Sequence, residues 1–278
     1  MSSDIILKRA LYRRYPEPVA ADETPIAEVS QWLCAELAQS IERIAEGLQP
    51  NDVAAHLTCS TILDTAFSGH ALDWQRMRAH IGEQSRFVPD SMINAYECAC
   101  WGYCLRYLIG REKRTPYVIV NIVDINVFNL TAWMENENWG KSGFGIASLL
   151  FEVGDATPQA VVVGAGKTNT HVAEFAMDLR KTLVANQQVP VALPFFPRHV
   201  TDALNRMLPG VPRLADLHPR LGHCFGADPW LAIIDDIAVN GQRDQRYLAS
   251  SVALNDYWTI ANVSASADGW YTFEEVSQ

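Results

Sequence analysis

Three cysteines, Cys98, Cys100 and Cys104, fall within seven positions of the segment YECACWGYCLRYLIG, residues 96–110. Cysteine sulfur can ligate a metal ion, pack as a small buried side chain, or act as a nucleophile. A structural zinc site usually needs a second pair of ligands, and no such pair accompanies this C-x-C-x3-C spacing. On a helix, the side chains of Cys98 and Cys100 would also diverge by about 200°. The sequence therefore predicts no metal site here.

Cys100 and Cys104 are four residues apart and share one face of the predicted helix, which favours core packing for both. Cys98 instead stands between a strand-like run, MINAY, and the start of that helix. A thiol at such a junction faces the positive end of the helix dipole, which favours the thiolate. Cys98 is therefore a candidate nucleophile, and a buried structural thiol is the alternative.

Strands and helices must alternate along the chain to hold that junction in place. The hydrophobic patterns predict these strands: DIILKRALY, VAAHLTCSTIL, SMINAYEC, PYVIVNIVDI, GKSGFGIASLLFEVG, PQAVVVGAG and VPVALPFF. They predict helices over Thr24 to Leu48, DWQRMRAHIG, HVAEFAMDLRKTLVA, PRHVTDALNRML and DPWLAIIDDIAVNG, followed by a terminal hairpin that turns at Asn255-Asp256. Two α/β runs of similar order predict a layered fold with an internal duplication, dividing into residues 1–155 and 156–278.

The composition of the chain argues against several classes of protein. The chain has 278 residues, 49% of them hydrophobic, with a net charge of −10, so its acidic surface argues against nucleic acid as the main partner. No apolar run is long enough to predict a membrane span, and the N-terminal segment lacks the apolar core of a signal peptide. Six cysteines are too few for a disulfide scaffold of this length, so we expect a reducing, cytoplasmic setting.

Four segments together resemble the thiolase-like condensing enzymes, in particular beta-ketoacyl-[acyl-carrier-protein] synthase III. In NAYECACWGYCLRYLIG, Cys98, Ala99 and Trp101 match the Cys, Ala and aromatic residue of the family's nucleophile elbow, and Cys100 replaces a Gly. GLQPNDVAAHLTCST, GKSGFGIASLLFEVG and GHCFGADPWLAIIDDIAVNG resemble, in chain order, the segment before the elbow, the glycine-rich strand entry and the C-terminal loop with its helix. The resemblance implies an α/β, thiolase-like layered αβαβα fold with two duplicated halves and Cys98 as nucleophile.

The chain departs from the family at the other two catalytic positions. Phe195, in LPFFPRHV, stands where the family has a catalytic His, and His199 follows four residues later on a predicted helix. His223, in GHCFGADP, stands where the family has a catalytic Asn. The resemblance implies that Phe195 and His199 lie at the substrate pocket and that His223 is a possible base. The alternatives are an ordinary helix residue for His199 and a loop histidine bonded to the backbone for His223.

These changes alter the chemistry that the resemblance implies. Phe195 cannot donate a hydrogen bond, and loss of one oxyanion donor costs about 100- to 1,000-fold in rate, so decarboxylative condensation is disfavoured. Formation of an acyl-thioester on Cys98 needs less, and His223 would assist transfer to an acceptor. The loop GHCFGADP resembles that of natural-product relatives that form esters or amides. The alternative is a catalytically silent subunit that partners an active synthase III-like protein.

Partners follow from the same resemblance. An acyl carrier protein or a CoA thioester would supply the acyl group, and the chain would form a homodimer or a heterodimer with a synthase III-like subunit. No cofactor is expected. Trp133, in the polar loop WMENENWG, is a candidate gate of the substrate pocket.

Overall fold

The computed structural model describes residues 5–16, 24–111, 115–154, 156–167, 170–186, 189–241 and 244–276. The strands, in chain order, are β1 Ile5–Arg14, β2 Val53–Cys59, β3 Ser91–Ile93, β4 Tyr117–Asp124, β5 Glu135–Asn136, β6 Gly140–Lys141, β7 Gly145–Glu152, β8 Val161–Ala165, β9 Val191–Ala192, β10 Gln245–Val252 and β11 Tyr257–Glu275. The helices are α1 Ile26–Ile44, α2 Asp64–Ser68, α3 Trp74–Gln84, α4 Cys100–Gly110, α5 Thr131–Met134, α6 His171–Ala185, α7 Arg198–Met207, α8 His218–Leu221 and α9 Asp228–Asn240.

One sheet runs through the molecule in the order β3-β2-β4-β7-β1-β11-β10-β9, with β8 paired to β11. The N-terminal half of the chain supplies the strands from β3 to β1, and the C-terminal half supplies the others. β1 and β11 pair in parallel and join the two sets. β5 and β6 form a separate two-stranded ribbon. The division at residue 155 stays a prediction.

Three apolar clusters separate the layers. The central cluster surrounds α4 and α9, and it contains side chains from strands of both halves, such as Val120 and Ala261. A second cluster packs α1 and α3 against the other face of the N-terminal strands. The third packs α6 and α7 against the other face of the C-terminal strands. The N-terminal and C-terminal strands of this continuous sheet therefore form two layers, with α4 and α9 between them, α1 and α3 outside one, and α6 and α7 outside the other. This is the layered αβαβα arrangement expected from the sequence.

The β-branched run of β4 shows how the sequence produces this layering. Val118 and Val120 face the central cluster, whereas Ile119 and Val123 face α1. Successive side chains of a strand point to opposite faces, so a strand covered on both sides must be apolar throughout. The strand predicted from PYVIVNIVDI is confirmed, and Asp124, the last residue of β4, enters the site described below.

Two predicted strands are reduced to two or three residues in the structure. From VPVALPFF only β9 forms, because Pro190 and Pro194 flank it and cannot donate backbone hydrogen bonds to a sheet. From SMINAYEC only β3 forms, because Tyr96 and Glu97 adopt left-handed backbone angles, with φ of 71° and 43°. Among the described residues, no helix is both long and apolar enough to cross a membrane.

Candidate active site

Cys98 lies in a sharp turn between β3 and α4. Tyr96 and Glu97 carry the positive φ angles, and residues 97–99 form one turn of 3-10 helix that leads into α4. Positive φ is unfavourable for side chains of this size, so surrounding contacts must hold the turn. The Tyr96 ring stacks on Tyr103 of α4 at a centroid distance of 3.9 Å, and the Glu97 carboxylate accepts hydrogen bonds from the Leu254 and Asn255 amides. The chain therefore makes a sharp turn from strand to helix at Cys98, and its role as a nucleophile elbow stays a prediction.

His223 approaches the same sulfur from the other half of the chain. Its Nε2 atom lies 3.6 Å from the Cys98 Sγ atom. The backbone amide of His223 donates to the Lys141 carbonyl, and its own carbonyl accepts from Gly143, both at 2.8 Å. Gly222, with φ of 78°, precedes it, and a Cβ there would stand 2.5 Å from the Lys141 oxygen. The close backbone approach at Gly222 therefore allows the loop to present the imidazole to Cys98.

Asp228 completes a relay that the sequence analysis missed. One of its carboxylate oxygens lies 2.7 Å from His223 Nδ1 and also accepts from the Phe195 amide at 2.8 Å, while the other accepts from the Cys224 amide at 2.6 Å. His223 Nδ1 also lies 2.9 Å from the Phe195 carbonyl. The loop GHCFGADP indicates this contact in the sequence, because Asp228 follows His223 by five residues and stands at the first position of α9.

The tautomer of His223 follows from these partners. Nδ1 faces a carboxylate oxygen and a carbonyl oxygen, and both can only accept a hydrogen bond. The proton of the neutral imidazole must therefore reside on Nδ1, which leaves the lone pair of Nε2 directed at the Cys98 thiol. Burial raises the pKa of Asp228, while the His223 contact opposes that shift.

The expectation that Cys98 would be a stabilised thiolate is wrong. The residue is 7% exposed, and burial raises the pKa of its thiol well above the usual value, with Asp124, Glu97 and Asp228 adding negative charge nearby. Desolvation of the thiolate outweighs the favourable end of α4. A weak hydrogen bond from the Thr61 hydroxyl, 4.0 Å from the sulfur, acts in the opposite direction. The sulfur therefore needs a base beside it to react at neutral pH.

Asp124 links three segments of the chain near the Cys98 sulfur. One carboxylate oxygen accepts from the Ser60 hydroxyl at 3.2 Å and from the Thr61 amide at 2.7 Å, and the other accepts from the Gly226 amide at 3.3 Å. Burial raises the pKa of this carboxyl to about 6. The group therefore links the end of β2, the end of β4 and the loop that carries His223.

A cavity of about 530 Å³ opens over Cys98 and His223. Most of its wall is apolar, and the lining residues are Thr61, Glu97, Cys98, Trp133, Asn136, Asn138, Trp139, His171, Val172, Phe196, Val200, Leu204, His223, Phe225, Val252, Ala253 and Leu254. This volume lies within the range of about 300–1,000 Å³ that is usual for small-molecule sites. A largely apolar wall with a few convergent polar groups is the usual composition of such a site.

The predicted pocket residues separate into two groups. Trp133 lines the cavity, and its role at a substrate pocket stays a prediction. Phe195 does not, because its side chain is buried in the central core, and the neighbouring Phe196 lines the cavity and stacks on the His223 ring at 5.4 Å. Adjacent residues of an extended segment point in opposite directions, which explains the difference of one position. His199 is also not among the lining residues, since it is exposed on α7, whereas Val200 reaches the cavity.

The other two cysteines of the segment lie in a separate cluster. The sulfur atoms of Cys59, Cys100 and Cys104 are all within 4.8 Å of one another, and all three residues are buried. Three thiolates could hold a soft metal ion, but they would place several negative charges in the central apolar core. The arrangement fits the core packing predicted for Cys100 and Cys104. The expectation that the chain binds no metal stays a prediction.

Comparisons with known proteins identify the fold. No family model and no curated protein sequence matches the chain. Among solved structures, ChlB3, described as an acyltransferase, matches with a TM-score of 0.68 and 12% identity over 96% of this chain and 100% of that one.

Two further structures agree with that match. A 3-oxoacyl-(acyl-carrier-protein) synthase III matches with a TM-score of 0.63 and 12% identity over 93% of this chain and 99% of that one. The priming beta-ketosynthase of the R1128 polyketide pathway matches with a TM-score of 0.60 and 11% identity over 95% and 98%. The chain therefore has the thiolase-like fold of the synthase III-type structures.

Proposed function

We propose that this protein is an acyltransferase that carries the acyl group as a thioester on Cys98. The observation that supports this most strongly is the continuous relay from the Cys98 sulfur through His223 to Asp228 at the floor of an apolar cavity. A nucleophile, a base beside it and a carboxylate that orients the base form the arrangement that covalent acyl transfer needs.

The first half-reaction would form the acyl-enzyme. His223 Nε2 takes the thiol proton as the Cys98 sulfur attacks the carbonyl carbon of the donor thioester. The carbon–sulfur bond to the donor then breaks, and the departing thiolate takes the proton back from His223. Asp228 stays ionised and stabilises the imidazolium that forms between these steps.

The second half-reaction would release the acyl group to an acceptor hydroxyl or amine. The acceptor loses its proton to His223 as it attacks the Cys98 thioester, and the Cys98 thiolate leaves and is reprotonated by the same imidazole. One base thus serves both half-reactions. The positive end of α4 lies near Cys98 and would favour the negative charge on the tetrahedral intermediate.

Transfer to oxygen or nitrogen fits the site better than carbon–carbon bond formation. In the synthase III pattern, a His and an Asn jointly stabilise the enolate of the extender unit. Here the first of those positions is Phe195, whose side chain lies in the core, and the second is His223, which Asp228 and the Phe195 carbonyl hold as a base.

The donor would be an acyl carrier protein or CoA thioester, in the cytoplasm, and the chain would act as a homodimer or with a synthase III-like subunit. A reducing compartment agrees with the six cysteines, all within the described ranges, each of which is a free thiol. The same compartment would keep the Cys98 sulfur available for acylation.

The alternative is a silent subunit of a heterodimer. The observations that favour it are the 7% exposure of Cys98 and the raised pKa of its thiol, since both reduce intrinsic reactivity. The intact relay favours the transferase, because a scaffold does not need an imidazole aligned on a sulfur.

Intact-mass spectrometry distinguishes the two functions. The protein is incubated with a panel of acyl-CoA and acyl-pantetheine thioesters, and we expect a mass increase equal to one acyl group. Cys98→Ala should lose the adduct, and Cys34→Ala, which changes another buried cysteine on α1, should keep it. No adduct with any thioester, or an adduct that survives in Cys98→Ala, would contradict the proposed transferase.

A further inference from the structure

The wall of the cavity over Cys98 is mostly apolar. Aromatic rings form one side, where Trp133, Trp139 and Phe225 lie with centroids about 6 Å apart. Aliphatic side chains of α6, α7 and β10 form another part, including Val172, Leu204 and Val252. The uncharged polar side chains of Thr61, Asn136 and Asn138 also line the cavity. An acyl chain on the Cys98 sulfur would be surrounded by these groups.

No lysine or arginine lies among the lining residues, all of which belong to the described part of the chain. The one formally charged side chain on the wall is Glu97, an acid that is anchored at the elbow by the Leu254 and Asn255 amides. Any negative charge brought into the cavity would therefore meet a carboxylate and no fixed cation.

The two histidines of the wall do not supply a cation either. His223 is engaged with Asp228 and Cys98. His171, at the start of α6, holds its Nδ1 atom 3.0 Å from the Asp256 carboxylate. Each imidazole has its own acidic partner in the protein, so a carboxylate on the substrate would have to compete with that partner.

We propose that the acyl group accepted by this cavity is uncharged and apolar, and that acyl groups ending in a carboxylate, such as malonyl and succinyl, are excluded. This inference rests on the proposed function, because it concerns the group transferred to Cys98. The physical reason is that a carboxylate loses its hydration on entering an apolar cavity and gains no compensating ion pair there.

The test uses matched pairs of N-acetylcysteamine thioesters of equal chain length. Butyryl is compared with succinyl, and propionyl with malonyl, and the rate of acyl-enzyme formation on the wild-type protein is followed by intact-mass spectrometry. We expect each neutral thioester to react at least about 100-fold faster than its acidic counterpart. From acetyl to hexanoyl the rate should rise by up to about fourfold for each added methylene.

Placing a cation on the wall should weaken the preference for the neutral acyl group. Val200 is half-buried on α7 and lines the cavity, so Val200→Arg should raise the succinyl to butyryl rate ratio at least about tenfold. Val184→Arg is the matched control, because Val184 is 75% exposed on α6 and does not line the cavity. The ratio in that control should equal the wild-type ratio.

The outcomes separate this inference from the proposed function. If succinyl reacts as fast as butyryl, the inference is overturned and the acyltransferase stands. If no thioester forms an adduct, the proposed function fails, and the inference fails with it. A folded Val200→Arg protein with an unchanged ratio would also overturn it, and if that variant does not fold, the wild-type pairs decide.

Discussion

Cys98 and Cys100 are two residues apart in the same segment, yet they lie in different chemical environments. The Cys98 sulfur lies at the floor of a cavity, 3.6 Å from the imidazole of His223. The Cys100 sulfur lies in the central core, 3.9 Å from the Cys104 sulfur, and faces the Ile93 carbonyl. Both thiols are buried, so burial alone does not distinguish a nucleophile from a packing residue. The difference is the neighbouring imidazole of His223, which the other half of the chain supplies and which we propose as the base.

The largest effect should come from removing that base. His223→Ala leaves the buried thiol without a proton acceptor, and we expect the acylation rate to fall by about 100- to 10,000-fold. Cys100→Ala should leave the rate within about twofold, because its sulfur faces the core. The measurement is the single-turnover rate of Cys98 acylation by mass spectrometry. An unchanged rate in His223→Ala would remove the imidazole from the mechanism.

The next effect concerns the carboxylate that holds His223. Asp228→Asn places an amide beside Nδ1, which favours the opposite tautomer and directs an N–H at the sulfur. We expect the acylation rate at pH 7 to fall by about 100-fold or more. The difference in acylation rate between Asp228→Asn and the wild type should shrink as the pH rises, because more of the Cys98 thiol then ionises without a base. His218→Ala is a control, since that histidine lies nearby and bonds the Trp139 carbonyl. A deficit that is constant with pH would indicate only a structural role for Asp228.

The contrast between the two sulfurs also explains what the sequence could predict. The residues that make each element carry a local pattern, so the β-branched run of β4 and the helical spacing of α6 and α9 identify those elements without the structure. The Cys98 elbow has a local signal as well, because it lies where a strand ends and a helix begins. The fold, and the position of Cys98 in a turn between a strand and a helix, were therefore accessible from the sequence and its resemblance.

The remaining features depend on contacts between segments far apart in the chain. Asp228 meets His223 through one loop, but its second role, accepting from the Phe195 amide, joins residues 33 positions apart. The raised pKa of Cys98 depends on burial and on Asp124, 26 positions later in the sequence. Whether Phe195 or Phe196 lines the cavity depends on the backbone path of a segment that is neither helix nor strand. No spacing rule contains this information, so the helix-dipole argument for a thiolate failed.

A smaller effect should appear in the pH dependence of stability. The carboxyl of Asp124 has a pKa of about 6 in the folded protein, against the usual 3.8. A raised acid pKa means that the folded state holds the proton more tightly. The resulting stabilisation is present below pH 3.8 and is lost as the pH rises through about 6.

Asp124→Asn removes that titration, so it isolates the effect from other buried groups such as His56 and Asp228. The unfolding free energy of the wild type relative to the variant should fall by up to about 3 kcal/mol between pH 4 and pH 7. Urea unfolding of both proteins at several pH values measures the difference. A difference that does not vary with pH, or that grows as the pH rises, would show that the carboxyl is not stabilised in its protonated form.

The smallest predicted effect compares the two cysteine environments directly, because the same replacement of sulfur by oxygen is made in each. Cys104→Ser buries a hydroxyl among the sulfurs of Cys59 and Cys100, and we expect it to lower the unfolding free energy by about 1–3 kcal/mol. Its acylation rate, measured on folded protein, should stay within about twofold of wild type. Cys98→Ser should show the opposite pattern, because Thr61 and His223 can bond the new hydroxyl while the nucleophile is lost. If Cys104→Ser instead slowed acylation at unchanged stability, the three-sulfur cluster would take part in the chemistry, and the two environments would not be independent.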